Sequence, residues 1–243
     1  MAKLTFEELK SRLKLDYQVV VKMRSPLMSV TAYRNAEDLE KRRNPIVSEE
    51  EGHLATHYLV DYYIRTLVGR DEYSDKTSVK FDLLANGNYP YTIPGCFVTS
   101  SRMPWTPHFQ EGVPICTDHN MWEEAQGRML LGDWVVHVAK LLNFDEIPRT
   151  ESYGGLNPDA ARYWREKLKM QPLTPNLQYP PLPTVADELT PFAAVQRRAS
   201  DLFQAASQPR AQMFEPASGD RQSSALAPDA GMFTATPKTD RME

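Results

Sequence analysis

Residues 54–83 read LATHYLVDYYIRTLVGRDEYSDKTSVKFDL, and this stretch decides the fold class. From Leu54 to Leu67 the residues are largely β-branched or aromatic, the side chains that fit a pleated, half-buried surface. Further on, Val79, Phe81 and Leu83 alternate with Ser78, Lys80 and Asp82, which places the two sets on opposite faces of a strand. Gly69 and the Asn86-Gly87-Asn88 cluster punctuate the region as turns. Upstream, Met28 to Tyr33 reads as another strand, and downstream Cys96 to Thr99 reads as a fourth. Strands separated only by turns lack the crossover helices that parallel pairing needs, so the expectation is a four-stranded antiparallel meander.

Helices flank the strands. Thr5 and Glu8 have the spacing of a capping box, with Leu4 and Leu9 placed as its staple. Phe6, Leu9, Leu13, Tyr17 and Val20 then continue one apolar face, which predicts an N-terminal helix. After the strands, residues 127–142, GRMLLGDWVVHVAKLL, set Leu130, Trp134, Val138, Leu141 and Leu142 on one helical face despite two glycines. A last helix is announced by Asn157 as cap and Pro158 at the first position, with Ala161, Trp164 and Leu168 as its buried stripe. The fold class expected is therefore α+β.

The chain has 243 residues, 41% of them hydrophobic and 25% charged, a mixture that predicts a folded core. With 28 Lys and Arg against 32 Asp and Glu, there is no basic surplus to bind phosphates, so nucleic acid is not an expected partner. No apolar run approaches the ~18–20 residues of a membrane span, and no membrane association is expected. Two cysteines, and no signal-peptide run in the first 30 residues, point to a reducing cytoplasm. Ten of the 19 prolines but only five of the 24 aromatics fall in residues 171–243. Such a segment has little to bury, so the reading is a folded domain over 1–170 and a Pro-rich, largely disordered tail over 171–243. Within that tail Thr190-Pro191 followed by Phe192, Val195, Ala199 and Leu202 predicts a short amphipathic helix at 190–206.

Between the strands and the long helix lies NYPYTIPGCFVTSSRMPWTPHFQEGVPICTDHNMWEE, residues 88–124, rich in Pro, Gly and aromatics and almost without periodicity. Irregular segments of this length inside a domain are usually functional. Its centre is Cys116, set in Gly-Val-Pro-Ile-Cys-Thr-Asp. No glycine-rich phosphate loop accompanies it, since Gly154-Gly155 stands alone.

Tyr89-Pro90, Pro94, Thr106-Pro107-His108, Gly112, Ile115-Cys116, Asp118 and Trp122, followed by the apolar helix and the Asn157-Pro-Asp-Ala-Ala-Arg-Tyr163 helix, resemble the catalytic core of ubiquitin-conjugating enzymes. The likeness covers roughly residues 3–170 and extends to the order of elements. It implies that Cys116 holds the carboxyl terminus of a ubiquitin-like protein as a thioester. Where that family usually has His-Pro-Asn, this chain has Thr106-Pro107-His108, so His108 stands at the position of the asparagine assigned to loop support and oxyanion stabilisation. Gly112 lies four residues before the cysteine where the family has three, and Trp122 follows by six where the family has about eight. The triplet is similar to that of bacterial members encoded beside an adenylating enzyme, a ubiquitin-like protein and a deconjugating peptidase, often in antiphage defence operons.

The resemblance implies an acyltransferase that receives a ubiquitin-like protein from an adenylating enzyme and passes it to an amine of a protein target, without a cofactor or metal of its own. It also implies that the first helix, with Glu7, Lys10 and Lys14, faces the activating enzyme. Attack by a lysine is the harder step, because an unperturbed pKa of about 10.4 leaves on the order of 0.1% free amine at pH 7.4. A carboxylate that orients the amine and takes its proton is expected, and the candidates are Asp145, Glu146 and Asp118, with Asp145 preferred. Three other readings stay open from the residues. Cys116 with His108, His119 or His137 has the nucleophile and base of a cysteine hydrolase. Cys96, His108, Cys116 and His119 have zinc-ligating side chains but not the close paired spacings of structural zinc sites. A catalytically inert relative that binds ubiquitin-like proteins is the third. Cys96, beside Phe97 and Val98, reads as a core residue.

Overall fold

The computed structural model describes residues 4–115, 122, 125, 127–145 and 155–181. Helix α1 spans Phe6–Lys22 and begins with the expected capping box: Thr5 Oγ1 accepts the Glu8 N–H at 3.3 Å, and Glu8 Oε2 accepts the Thr5 N–H at 2.7 Å. The Thr5 donors hold the Glu8 carboxyl below its ordinary value. Leu13, Tyr17 and Val20 are buried as the spacing predicts. Phe6 departs from that face: it sits in the first turn and is 69% exposed, with the Lys10 ammonium 4.4 Å from its ring. Glu7 and Lys14 are exposed as well.

Four antiparallel strands follow, β1 (Met28–Tyr33), β2 (His57–Tyr62), β5 (Thr77–Asp82) and β6 (Gly95–Val98), paired in the order β1-β2-β5-β6. Between β2 and β5 the hairpin of β3 (Thr66–Gly69) and β4 (Glu72–Ser74) forms its own two-stranded sheet. Residues 54–67, read as one strand region, are thus divided. The chain leaves the main sheet after Tyr62, and Ile64 turns into the core, which a run of uniformly β-prone residues conceals. A short helix α2 (Ala36–Glu40), capped by Asn35, and a tight helical turn at Glu50–Leu54 fill the connection from β1 to β2.

Register places Val30, Val60, Val79 and Val98 in one row across the sheet, and Ala32, Tyr58, Phe81 and Cys96 in the next row on the same face. Tyr58, Val60, Val79 and Phe81 have no exposed surface. This face packs with α1 and with α3 (Leu131–Leu142), to which the sheet is tied by the Tyr62 hydroxyl donating to the Val135 carbonyl at 2.9 Å. Helix α3 starts four residues later than the period suggests. Gly127 has φ +79, and a Cβ there would meet Pro90 and Tyr91 at 3.2–3.3 Å. Residues 127–130 therefore run as an irregular lead-in, and Asp133 accepts the Leu130 N–H at 2.8 Å to open the helix.

Helix α4 (Pro158–Glu166) is capped by Asn157 Oδ1, which accepts the Ala160 N–H at 3.1 Å, and buries Ala161 and Trp164. Leu168 lies past its end but packs with Trp164, Phe144 and Leu67 in a second small cluster. The packed chain does not stop at residue 170. Leu173 donates its N–H to the Asn143 carbonyl at 3.0 Å, Thr174 donates to Asn143 Oδ1 at 2.8 Å, and Leu177 and Tyr179 pack against the main core. Buried Asn143 adds side-chain polarity to that apolar packing, and a count of hydrophobic residues misses this part. The rest of the tail from residue 182, including the helix expected at 190–206, lies outside the described residues. Among the described residues, no helix is long and apolar enough to cross a membrane.

Candidate functional site

The Thr106-Pro107-His108 turn is held from several directions. The Trp105 N–H just before it donates to the Leu67 carbonyl of β3 at 2.6 Å, and the Trp105 ring lies 5.2 Å from Tyr163 of α4. The Pro107 carbonyl accepts the N–H groups of Leu156 (2.7 Å) and Asn157 (3.3 Å), so the turn is braced by the residues that open α4. Thr106 is fully buried, its hydroxyl accepting the His108 N–H at 3.3 Å, and His108 itself is buried. Phe109 and Ile115 are buried, and Ile115 donates its N–H to the Cys96 carbonyl at 2.9 Å, fastening the segment along β6. Its next residue is Cys116.

Cys116, Asp118, His119 and Glu146 lie outside the described residues. On the far side of them Trp122 is fully buried, donates Nε1–H to the Pro90 carbonyl at 2.9 Å, and meets Trp134 edge-on at 5.4 Å. Both tryptophans supply packing area in the core. Cys96 is a buried core thiol, and burial pushes it well above its ordinary value. Among the described residues, no three His, Cys, Asp or Glu side chains are grouped to hold a metal ion.

Asp145 is held by two hydrogen bonds. Its Oδ2 accepts Asn143 Nδ2 at 2.8 Å and the Tyr179 hydroxyl, which joins it to the 171–179 strap. An open cavity of ≈ 510 Å³ has Lys140, Asp145, Gln171 and Tyr179 on its wall. A different cavity, of ≈ 400 Å³, borders the 106–108 turn through Trp105, Phe109, Glu111 and Asn157, and the two share no lining residue.

Sequence reading passes over a buried and heavily bonded group, Arg12. It is buried on α1 with Asp16, its Nε 2.7 Å from Asp16 Oδ2, and its guanidinium donates to the carbonyls of Gly127 and Met129 and to the Tyr89 hydroxyl. Tyr89 in turn donates to Asp16 Oδ2 at 2.6 Å, while Asp16 Oδ1 accepts the Leu131 N–H at 2.8 Å. Burial opposes the guanidinium charge, but Asp16 and Tyr89 outweigh it and raise the Arg12 pKa. A signal was present: with Leu9, Leu13, Tyr17 and Val20, positions 12 and 16 complete the i, i+3, i+4, i+7 stripe of the buried face.

Comparison with protein-family models and with curated proteins finds no match to this chain.

Proposed function

We propose that the chain is a ubiquitin-conjugating-enzyme-like carrier that accepts a ubiquitin-like protein on Cys116 and transfers it to an amine of a protein target. The observation that carries this reading is the fixed approach to the cysteine. Pro107 is braced on residues 156–157, Ile115 is fastened to β6, and the chain then enters Cys116, all on a helix, four-stranded meander and C-terminal helices in the order the resemblance implies. A carrier needs such a rigid approach, because thioester exchange depends on access and orientation more than on an activated triad.

In loading, the Cys116 thiolate attacks the carbonyl carbon of the activating enzyme's thioester. The new carbon–sulfur bond forms as the old one breaks, and the activating enzyme's thiolate leaves. In transfer, a neutral amine attacks the same carbon, the carbon–nitrogen bond forms, and the Cys116 thiolate departs. The proton lost by nitrogen goes to a carboxylate, for which Asp145 and Asp118 are the candidates, and His108 donates to the developing oxyanion. ATP is consumed by the adenylating partner, so this chain needs no cofactor of its own. The setting is the cytoplasm of a bacterium, in a conjugation pathway of the kind found in antiphage defence.

The test is a non-reducing gel with intact-mass analysis after mixing the protein with ATP and an adenylating enzyme and ubiquitin-like protein of the same genome. A thiol-sensitive adduct that Cys116→Ala abolishes and Cys96→Ala retains is the expected result. Absence of an adduct with partners shown to be active overturns the proposal in favour of an inert binding module or a cysteine hydrolase.

A further inference from the structure

Asn86-Gly87 is the only Asn-Gly pair in the chain, and it stands in the turns that follow β5. Both residues are exposed. Gly87 has φ +73, and a Cβ built on it would have no neighbour within 4 Å. The Gly87 nitrogen can close a five-membered ring on the Asn86 side-chain carbonyl carbon, and glycine, with no Cβ and free space around it, hinders that closure least. The same side chain latches its loop. Asn86 Nδ2 donates to the Ile93 carbonyl at 2.7 Å, while the residues between them are held by the core. Tyr89 is buried and donates to Asp16 Oδ2 at 2.6 Å, and the Pro90 carbonyl accepts the Trp122 indole N–H at 2.9 Å.

We infer that Asn86 is a self-modification site, which converts through a succinimide to aspartate and isoaspartate and thereby unlatches the loop from Ile93. The inference is independent of the reading of Cys116. The Gly87 nitrogen, its proton lost to hydroxide, attacks Asn86 Cγ; the carbon–nitrogen bond forms, and Nδ2 takes up a proton and leaves as ammonia. Water then adds to one of the two ring carbonyls. Breaking the bond from Gly87 nitrogen to Cγ leaves aspartate, and breaking its bond to the main-chain carbonyl carbon leaves isoaspartate, with the chain routed through Cγ. One water is consumed and one ammonia released, with no oxidant or cofactor. Either product has a carboxylate in place of the amide, so the donor to the Ile93 carbonyl is gone and an acceptor faces an acceptor. One bond must open first, the Gly87 N–H to the Leu84 carbonyl at 3.0 Å. It lies in an exposed turn, where local opening needs far less free energy than unfolding, so the reaction proceeds in the folded protein.

The full chain is held folded at pH 8.5 for days and sampled by intact mass, by peptide mapping and by labelling with an isoaspartate-specific methyltransferase. The expected result is a gain of about 1 Da localised to residue 86, with methyl-accepting isoaspartate at that position. Asn86→Gln, whose longer side chain would have to close a six-membered ring, is expected to stay unmodified there. Amide exchange of peptides covering 84–94 is expected to quicken by about tenfold in the aged protein and in Asn86→Asp, which removes the donor without ageing, while peptides of β2 and β5 keep their rates. No mass gain at residue 86 in the folded chain, whatever the urea-unfolded chain does, overturns the site. Exchange over 84–94 that matches the parent's in both the aged protein and Asn86→Asp overturns the latch.

Discussion

Gly155 lies so close to Pro107 that a Cβ built on it would stand 2.3 Å from the Pro107 carbonyl oxygen. Its φ of +59 also belongs to the left-handed region. The contact lets Leu156 and Asn157 reach the same carbonyl with their N–H groups, so a single glycine couples the 106–108 turn to the start of α4. Gly155→Ala is expected to destabilise the fold by roughly 1–3 kcal/mol from the backbone conformation alone, with the displaced carbonyl adding to it. Urea unfolding measures this. A change within about 0.5 kcal/mol, the range of ordinary surface substitutions, would mean that the turn and α4 are not braced on each other.

Cys96 supplies a pH dependence of known sign. Its thiol is held well above the ordinary value by burial, so the folded state keeps the proton that the unfolded chain releases. The resulting stabilisation is present in full below the unfolded thiol value of about 8.5 and declines as pH rises from there toward the folded value. The stability difference between the parent and Cys96→Ala should therefore shift against the parent between pH 8 and pH 10. Denaturant unfolding at several pH values reads it; a difference independent of pH across that window would show that Cys96 ionises in the fold as it does in the unfolded chain.

Much of the fold is legible in local chemistry. Thr5 with Glu8, the alternation of Val79 to Leu83, and Asn157 before Pro158 each specify an element whose defining bonds span only a few residues. What escapes is set by partners distant in sequence. Arg12 and Asp16 share the buried stripe of α1, but the backbone groups they bind, at Gly127, Met129 and Leu131, are more than a hundred positions away. The late start of α3 follows from the same bonds and from Gly127 against Pro90, and the packed strap after residue 170 follows from Asn143. At the candidate site, irregularity and the Thr106-Pro107-His108 triplet single out the stretch proposed to carry the function. The bracing of that triplet by residues 155–157, about fifty positions later, has no local signature.

Asn143 tests the strap directly. Its buried side chain accepts the Thr174 N–H at 2.8 Å and donates to the Thr174 carbonyl, Asp145 and the Tyr179 hydroxyl. Asn143→Ala is expected to cost roughly 1–3 kcal/mol by leaving those buried groups short of partners. Because Tyr179→Phe removes a member of the same network, the double variant should cost less than the sum of the single ones. Strict additivity in thermal or urea unfolding would separate Tyr179 from Asn143 energetically and leave the strap held by Leu173 and Leu177.

His108 separates the two half-reactions of the proposed carrier. It is buried beside Thr106 in a turn fixed by Pro107, so its ring is attached to a rigid backbone rather than to a mobile loop. Both steps develop an oxyanion on the carbonyl oxygen, but loading exchanges one thiolate for another at a low barrier, whereas aminolysis starts from a scarce neutral amine and depends more on a donor to that oxyanion. Removal of one oxyanion donor typically lowers the rate by about 10²–10³. His108→Ala is therefore expected to load Cys116 at close to the parent rate and to discharge to free lysine about a hundredfold more slowly, while His108→Asn restores most of the discharge by returning a side-chain N–H donor. Pulse-chase discharge of the preloaded thioester measures both variants. Equal losses in loading and discharge would assign His108 to support of the turn alone, and unchanged discharge in His108→Ala would remove it from the reaction.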